Sequence, residues 1–393
     1  MRIPQPIHPF PARMAPSIVL EHIQQLPAGS VVLDPMMGSG TVVRAASDAG
    51  HYAIGRDVDP LAVLMARVWT TPVHPQHLLT FAEGLVESAR MLREEHLSLA
   101  WIDEDVETNQ FIQFWFAPSQ CTQLRRLGCL LADMRCSEGD ALRIALSRTI
   151  ITKNRGASLA RDVSHSRPHR AFEHNTYDVY DGFLRATRHL VKRFEQEPPH
   201  GQAQIGLGDA RQLTLADGSV DAVITSPPYL NAIDYLRGHR LALVWLGHRV
   251  GSIRSIRSGS IGAERAPDPH VDTKLAARVI RHMGMTNQLP PRQHRIFERY
   301  VLDLAAMMGE IHRVLKAGGR AVFVLGNSCV QGVFVRNSEA VLMLARESGL
   351  ALIDHYDRDL PDARRYLPPP TAHAASSIER RMRKEVVLTF DRA

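Results

Sequence analysis

Cysteine is scarce in this chain of 393 residues: Cys121, Cys129, Cys136 and Cys329 are the four present, and none forms a Cys-x-x-Cys pair. Such usage excludes a disulfide-stapled scaffold and a zinc ribbon, and the thiols are expected to be reduced and mostly structural. Long apolar runs are missing as well. Nothing approaches the roughly 20 residues that span a bilayer, and the opening MRIPQPIHPF has no signal-peptide stretch, so a cytoplasmic protein without a membrane partner is expected. Charge of one sign is not in large excess, since 47 Lys and Arg against 41 Asp and Glu leave +6. Where that charge lies therefore matters more than its sum. A hydrophobic content of 45% with 22% charged residues excludes disordered and fibrous classes. The length admits one large domain with insertions, or two domains.

Val31-Val32-Leu33 is a short apolar run closed by Asp34-Pro35 and a glycine-containing turn, the pattern of a buried strand entering a loop and a helix. Thr41 to Ala49 reads as that helix and His51 to Arg56 as the next strand, a β-α-β start that predicts an α/β, Rossmann-like doubly wound sheet. Further strands are expected at Val220 to Ile224 and Arg320 to Leu325, the second after a helix of about Tyr300 to Leu315 and the turn Lys316-Ala317-Gly318-Gly319. From Val73 to His200 apolar residues recur at helical spacing, notably in 124–134, 141–149 and 177–194, which predicts a helical insertion. Gly251 to Pro291 reads as a loop insertion. The expected units are therefore 1–72, 73–200, 201–250, 251–297 and 298–393.

Asp34-Pro35-Met36-Met37-Gly38-Ser39-Gly40-Thr41 sits at the carboxyl end of the first strand, where open α/β sheets bind ligands. Gly38 and Gly40 let the backbone approach a ligand, and the helix start at Thr41 offers N–H groups to a carboxylate or a phosphate. The loop is neither a GxGxxG fingerprint nor a P-loop; a plain tight turn with Asp34 as a cap is the competing reading. Asp57 stands 19 positions beyond Gly38, close to the separation of about 20 at which an acid reaches ribose hydroxyls. Asp59 competes for that role or caps the helix after Pro60. Thr225-Ser226-Pro227-Pro228-Tyr229 closes another strand. Its prolines fix the backbone and remove two N–H donors, so carbonyl oxygens and the Ser226 hydroxyl form an acceptor-rich patch suited to an exocyclic amino group, with Tyr229 as a stacking face. A rigid turn with a packed aromatic is the plainer alternative.

Together these residues resemble the S-adenosylmethionine-dependent methyltransferases that modify exocyclic amino groups of cytosine or adenine in DNA. Asp34 to Thr41 is similar to their cofactor loop, with Met36 where phenylalanine is common, and Ser226-Pro227-Pro228-Tyr229 to their catalytic signature in the serine form associated with N4-cytosine enzymes. His8-Pro9-Phe10-Pro11-Ala12 resembles the segment that supports the methionine part of the cofactor, and Gly208-Asp209-Ala210-Arg211 the segment whose acid lies near the adenine. The resemblance implies S-adenosylmethionine as cofactor, held by His8, Pro9, Asp34, Pro35, Gly38, Gly40, Thr41, Asp57 and Asp209, DNA as partner, and a cognate restriction or defence partner as a candidate. An N6-adenine enzyme, an RNA methyltransferase and a non-catalytic nucleic-acid-binding protein are the alternatives. No Pro-Cys dipeptide occurs, so the covalent cysteine mechanism of C5-cytosine enzymes is not expected.

The stretch 153–170 holds five Lys and Arg against one Asp. Lys153, Arg155, Arg161 and Arg167 there, and Arg254 and Arg257 further on, are candidate contacts to DNA phosphates. Target recognition could fall in either insertion. No metal site is expected: His165 and His169 flank Pro168 and have no cysteine nearby. Trp101, Trp115 and Phe116 are expected in the core, while Arg364 to Pro370 reads equally as a nucleic-acid contact or a connection.

Overall fold

Short apolar runs become the centre of a sheet. The computed structural model describes residues 3–10, 13–150, 152, 155–161, 168–230, 234–263, 267, 273–284, 286–331, 333–359 and 384–393. Its main strands are Val31–Asp34 (β1), Tyr52–Asp57 (β2), Gln202–Leu207 (β3), Val220–Thr225 (β4), Leu315–Gly326 (β5), Leu350–Asp359 (β6) and Lys384–Arg392 (β7). They lie in the order β6-β7-β5-β4-β1-β2-β3. β1 to β5 are parallel, and β7 is antiparallel to both its neighbours. The chain steps outward from β1 to β3 and returns to β4 on the other side of β1. The order thus reverses between β1 and β4, the point at which sheets of this kind bind ligands. The expected doubly wound sheet is present.

Strands buried on both faces need apolar residues pointing both ways. Val32, Ala53, Ile224, Val322 and Val324 enter one apolar core, whereas Leu33, Ile54, Val223, Phe323 and Leu325 enter the other. The first core is covered by α1 (Pro16–Ile23), α2 (Thr41–Asp48) and α3 (Pro60–Thr70), then by the helical insertion. That insertion comprises α4 (Pro75–Met91), α5 (Ala100–Asp103), α6 (Val106–Trp115), α7 (Pro118–Ala132), α8 (Ser137–Ile150) and α9 (Val179–Gln196). After β4 come α10 (Tyr235–Leu243), α11 (Val250–Gly259), α12 (Lys274–Ile280) and α13 (Pro291–Val314), and α14 (Asn337–Glu347) precedes β6. α12, α13 and α14 cover the second core. Proline occupies the first turn of α1, α3, α4, α7 and α13, where its missing N–H costs nothing. Among the described residues no helix is long and apolar enough to cross a membrane.

Several sequence expectations need correction. Gly251 to Pro291 is not a plain loop. Val250, Ile253 and Ile256 recur at helical spacing and turn toward the core, with Ile253 buried, so its first part is α11. The basic stretch is partly folded too: Ala160–Arg161 pairs with His169–Arg170 in an antiparallel ribbon, and Ala157, Ser158 and Leu159 are buried. Lys153, His165, Arg167 and Arg364 to Pro370 lie outside the described residues. Trp115 and Phe116 are buried as expected, and Trp101 donates its Nε1 proton to the Val244 carbonyl at 2.9 Å.

The insertion is not a separate body, because its helices share the core of α1 to α3. Arg44 fastens its return to the sheet. This guanidinium is 1% exposed and donates to Asp48 at 2.7 Å and to the carbonyls of Trp69, Glu197 and Pro198 at 2.7, 3.0 and 2.8 Å. Arg44→Ala strands a carboxylate and three carbonyls, so urea unfolding should show a drop of about 3–5 kcal/mol. Lysine, a single ammonium without the fork, should recover little of it; a drop under about 1 kcal/mol would show that the insertion docks by apolar packing alone.

Candidate active site

β1 and β4 pair in register, Val32 with Ala222 and Leu33 with Val223, so their carboxyl ends finish side by side. There the Thr225 hydroxyl donates to Asp34 Oδ1 at 2.7 Å, and Met36 N–H adds a second bond at 3.2 Å. Burial pushes the Asp34 carboxyl up to about 7 against these two donors. Asp34 thus joins the glycine loop to the proline turn.

The loop's own N–H groups are largely committed. Met37 donates to the Arg56 carbonyl at 3.0 Å, Gly38 to Asp57 Oδ2 at 2.8 Å and Gly40 to the Met37 carbonyl at 2.9 Å. What remains for an anion is the start of α2, where Thr41, Val42 and Val43 have no intrahelical acceptor. The glycines serve packing more than ligand approach, contrary to the expectation from sequence. Gly40, at φ 90°, would place a Cβ 2.8 Å from the Ala66 Cβ of α3, and a Cβ on Gly38, at φ 51°, would lie 3.1 Å from the Phe10 ring.

Asp57 is half-buried at the end of β2, and its second oxygen accepts from Asp59 N–H at 2.9 Å. Burial and the neighbouring Asp59 push its carboxyl up to about 6. Asp59 itself caps α3 through Leu61 N–H at 2.9 Å and meets His239 Nδ1 at 2.5 Å, both side chains being buried. The competing role considered for Asp59 is therefore taken by structure. Asp209 follows β3, whose end is tied back to Asp57 by Gly208 N–H at 3.0 Å. Burial alone would raise Asp209, yet Arg211, at 2.6 Å, holds it below its usual range.

The turn Ser226-Pro227-Pro228-Tyr229 is pinned around its working atoms. Tyr300 donates its hydroxyl to the Pro228 carbonyl at 3.1 Å, and Ser328 donates to the Leu230 carbonyl at 2.6 Å. Ser226 Oγ lies 3.4 Å from the Tyr229 hydroxyl. His8 is buried between the Pro9 carbonyl at 2.7 Å and Ser147 Oγ of α8 at 3.0 Å, and burial with nearby Arg148 pulls it down to about 3. The ring of its segment that reaches the glycine loop is Phe10, which stacks toward Tyr235 and His239 at 4.9 and 5.7 Å. Sequence reasoning missed Tyr235, His239 and Tyr300, none of which stands in a recognisable motif.

Of the candidate phosphate contacts, Arg155 lies over the Phe172 ring at 4.9 Å and Arg161 is exposed on the ribbon. Arg254 is bound twice by Glu107, at 2.6 and 3.0 Å, and Arg257 by Asp234. Among the described residues no cluster of metal ligands occurs.

No family model matches the chain. Type II methyltransferase M.MvaI of Kocuria varians is 22% identical over 391 residues, spanning 91% of this chain and 84% of that protein. Type II methyltransferase M.BsoBI of Geobacillus stearothermophilus is 24% identical over 266 residues, spanning 60% and 51%. A solved structure of a putative DNA modification methylase from Thermus thermophilus, complexed with S-adenosyl-L-methionine, aligns with 47% of this chain and 51% of its own at 17% identity and a TM-score of 0.25. The paired loops lie where the strand order of the sheet reverses, the place at which sheets of this kind bind ligands. In sequence the chain is similar to Type II DNA methyltransferases, to one of them over most of its length.

Asp57→Ala should weaken S-adenosylmethionine binding by roughly 1.5–3 kcal/mol in calorimetry, the range for hydrogen bonds to a charged group. A protonated Asp57 offers ribose one acceptor fewer. Affinity should therefore be flat above about pH 7 and fall by up to about tenfold per unit below about pH 6, with the slope absent from the variant. A pH-independent affinity in the unaltered protein would remove Asp57 from the ribose.

Proposed function

We propose that the chain is a site-specific DNA methyltransferase acting on the exocyclic amino group of a base turned out of the duplex, with N4 of cytosine as target. The observation that carries this reading is the Ser226-Pro227-Pro228-Tyr229 turn held against the glycine loop by the Thr225–Asp34 bond. The choice of cytosine rests on the serine form of the turn, since chemistry alone permits adenine as well.

S-adenosylmethionine supplies an electrophilic methyl group on a sulfonium sulfur. Asp57 takes the ribose hydroxyls, Asp209 lies toward the adenine, and the start of α2 receives the carboxylate. His8, Pro9 and Pro35 shape the wall from behind. Ser226 Oγ and the Pro227 carbonyl accept the two amino protons of the target, with Tyr229 stacked on the ring. Those hydrogen bonds favour a pyramidal nitrogen whose lone pair is free to attack in line as positive charge develops. As the N–C bond forms, the methyl–sulfur bond breaks and the surplus proton leaves to water, so neither a strong base nor a metal is required of this chain. Arg155 and, on the basic ribbon, Arg161 contact backbone phosphates, and one of the insertions 73–200 and 251–297 carries target recognition.

Incubating the protein with labelled cofactor and DNA or RNA in parallel, then digesting to nucleosides for mass spectrometry, tests this directly. N4-methylcytosine from DNA is expected; N6-methyladenine alone would overturn the base assignment, and label in RNA alone would overturn DNA as substrate. Ser226→Ala should lower turnover by about 100-fold or more while leaving cofactor affinity unchanged. A fully active variant would remove Ser226 from the chemistry.

A further inference from the structure

α6 carries two phenylalanines on the side that faces α10 and the basic ribbon. Phe111 is half-buried and Phe114 is 50% exposed. The Arg240 guanidinium of α10 lies over Phe111, 5.1 Å from the ring centroid, and that of Arg170 on the ribbon over Phe114, at 5.4 Å. A guanidinium stacked by its face keeps its N–H edge turned outward, which suits an oxyanion. Arg240 is not saturated: its Nε is buried without a hydrogen-bond partner among the described residues. Arg257 on α11 and Arg237 share the carboxylate of Asp234, and both repel Arg240. Gathering like charges around one acid is costly unless an anion joins them.

The chain that carries Arg257 runs on to the catalytic turn. Asp234, the residue before α10, stands eight positions after Ser226. Beyond α11 the chain reaches Gly262, where a Cβ would lie 3.8 Å from the Tyr229 carbonyl and 4.0 Å from Pro228. Turning a base out of a duplex requires a grip on the backbone beside it, and planar arginine forks match phosphate oxygens.

We propose that Arg170, Arg240 and Arg257, with Phe111 and Phe114 as their platform, form a track for DNA backbone phosphates that leads to the catalytic turn. The inference rests on the DNA reading above and adds residues to it. Its test is duplex binding measured by fluorescence anisotropy over a range of salt. Arg170→Gln with Arg257→Gln changes two surface groups and should flatten the slope of log K against log salt by about 1.8, or about 0.9 for each phosphate no longer neutralised. Adding Arg240→Met, which keeps an apolar stem over Phe111, should flatten it further. S-adenosylmethionine affinity and melting temperature should not change in the double variant. An unaltered slope in both variants, with the parent protein binding duplex normally, overturns the track alone. A parent protein that neither binds nor methylates duplex overturns the DNA reading instead.

Discussion

The hydrogen bond from Thr225 to Asp34 is the contact on which the site depends. Backbone pairing brings β1 and β4 level but stops where the strands stop, so beyond it only side chains can set one loop against the other. A buried carboxyl is a costly way to do this. Burial favours its neutral form, and the Thr225 hydroxyl and the Met36 N–H offset only part of that penalty. The arrangement persists because the switch point leaves the two strand ends adjacent, with no intervening strand to hold the loops apart. The proline turn and the glycine loop are thereby set against each other by a bond of 2.7 Å.

Around that bond the electrostatics select a kind of ligand. A phosphate-binding glycine loop must leave its N–H groups pointing outward. Here Gly38 gives its proton to Asp57 and Met37 to the Arg56 carbonyl, so the loop serves its own carboxylate and backbone. The loop is therefore a poor cradle for a pyrophosphate, and the free N–H groups are those at the start of α2. Asp34, Asp57 and Asp59 gather at the ends of β1 and β2, and mutual repulsion contributes to the raised Asp57. A ligand with cationic centres relieves that crowding, whereas a dinucleotide would add to it. Where the loop's protons go thus favours a carboxylate over a pyrophosphate.

What could be seen in the sequence followed from how local each cause was. The β1 loop and the β4 turn were legible because glycine and proline act on their own backbone, and α7, α8 and α9 because apolar spacing is a local signal. β3 was not recognised as a strand: Gln202-Ala203-Gln204-Ile205-Gly206-Leu207 forms an edge whose outward residues face solvent, so no apolar run marks it. β6, rich in Asp and also at an edge, hid for the same reason. The packing of Gly40 against Ala66 of α3 was not legible, since Ala66 lies 26 positions away and no spacing rule connects them. The His239–Asp59 pair, joining residues 180 apart, was invisible for the same reason.

The insertion shows how a large helical segment can be attached to the sheet without interrupting it. It leaves the sheet after α3 and returns before β3, both at the end of the strands opposite the site, where Arg44 and Ser47 fasten the returning chain. From that root its helices climb the face of the sheet within one continuous core. α6 then meets α11 beside the catalytic turn: Val250 N–H donates to Thr108 Oγ1 at 2.9 Å, and Arg254 clasps Glu107. Close packing transmits position as well as load. The side chains that α6 presents are therefore held in register with Ser226 by the packing that seats α10 and α11. Outward substitutions on α6 touch neither partner of the Thr225–Asp34 bond.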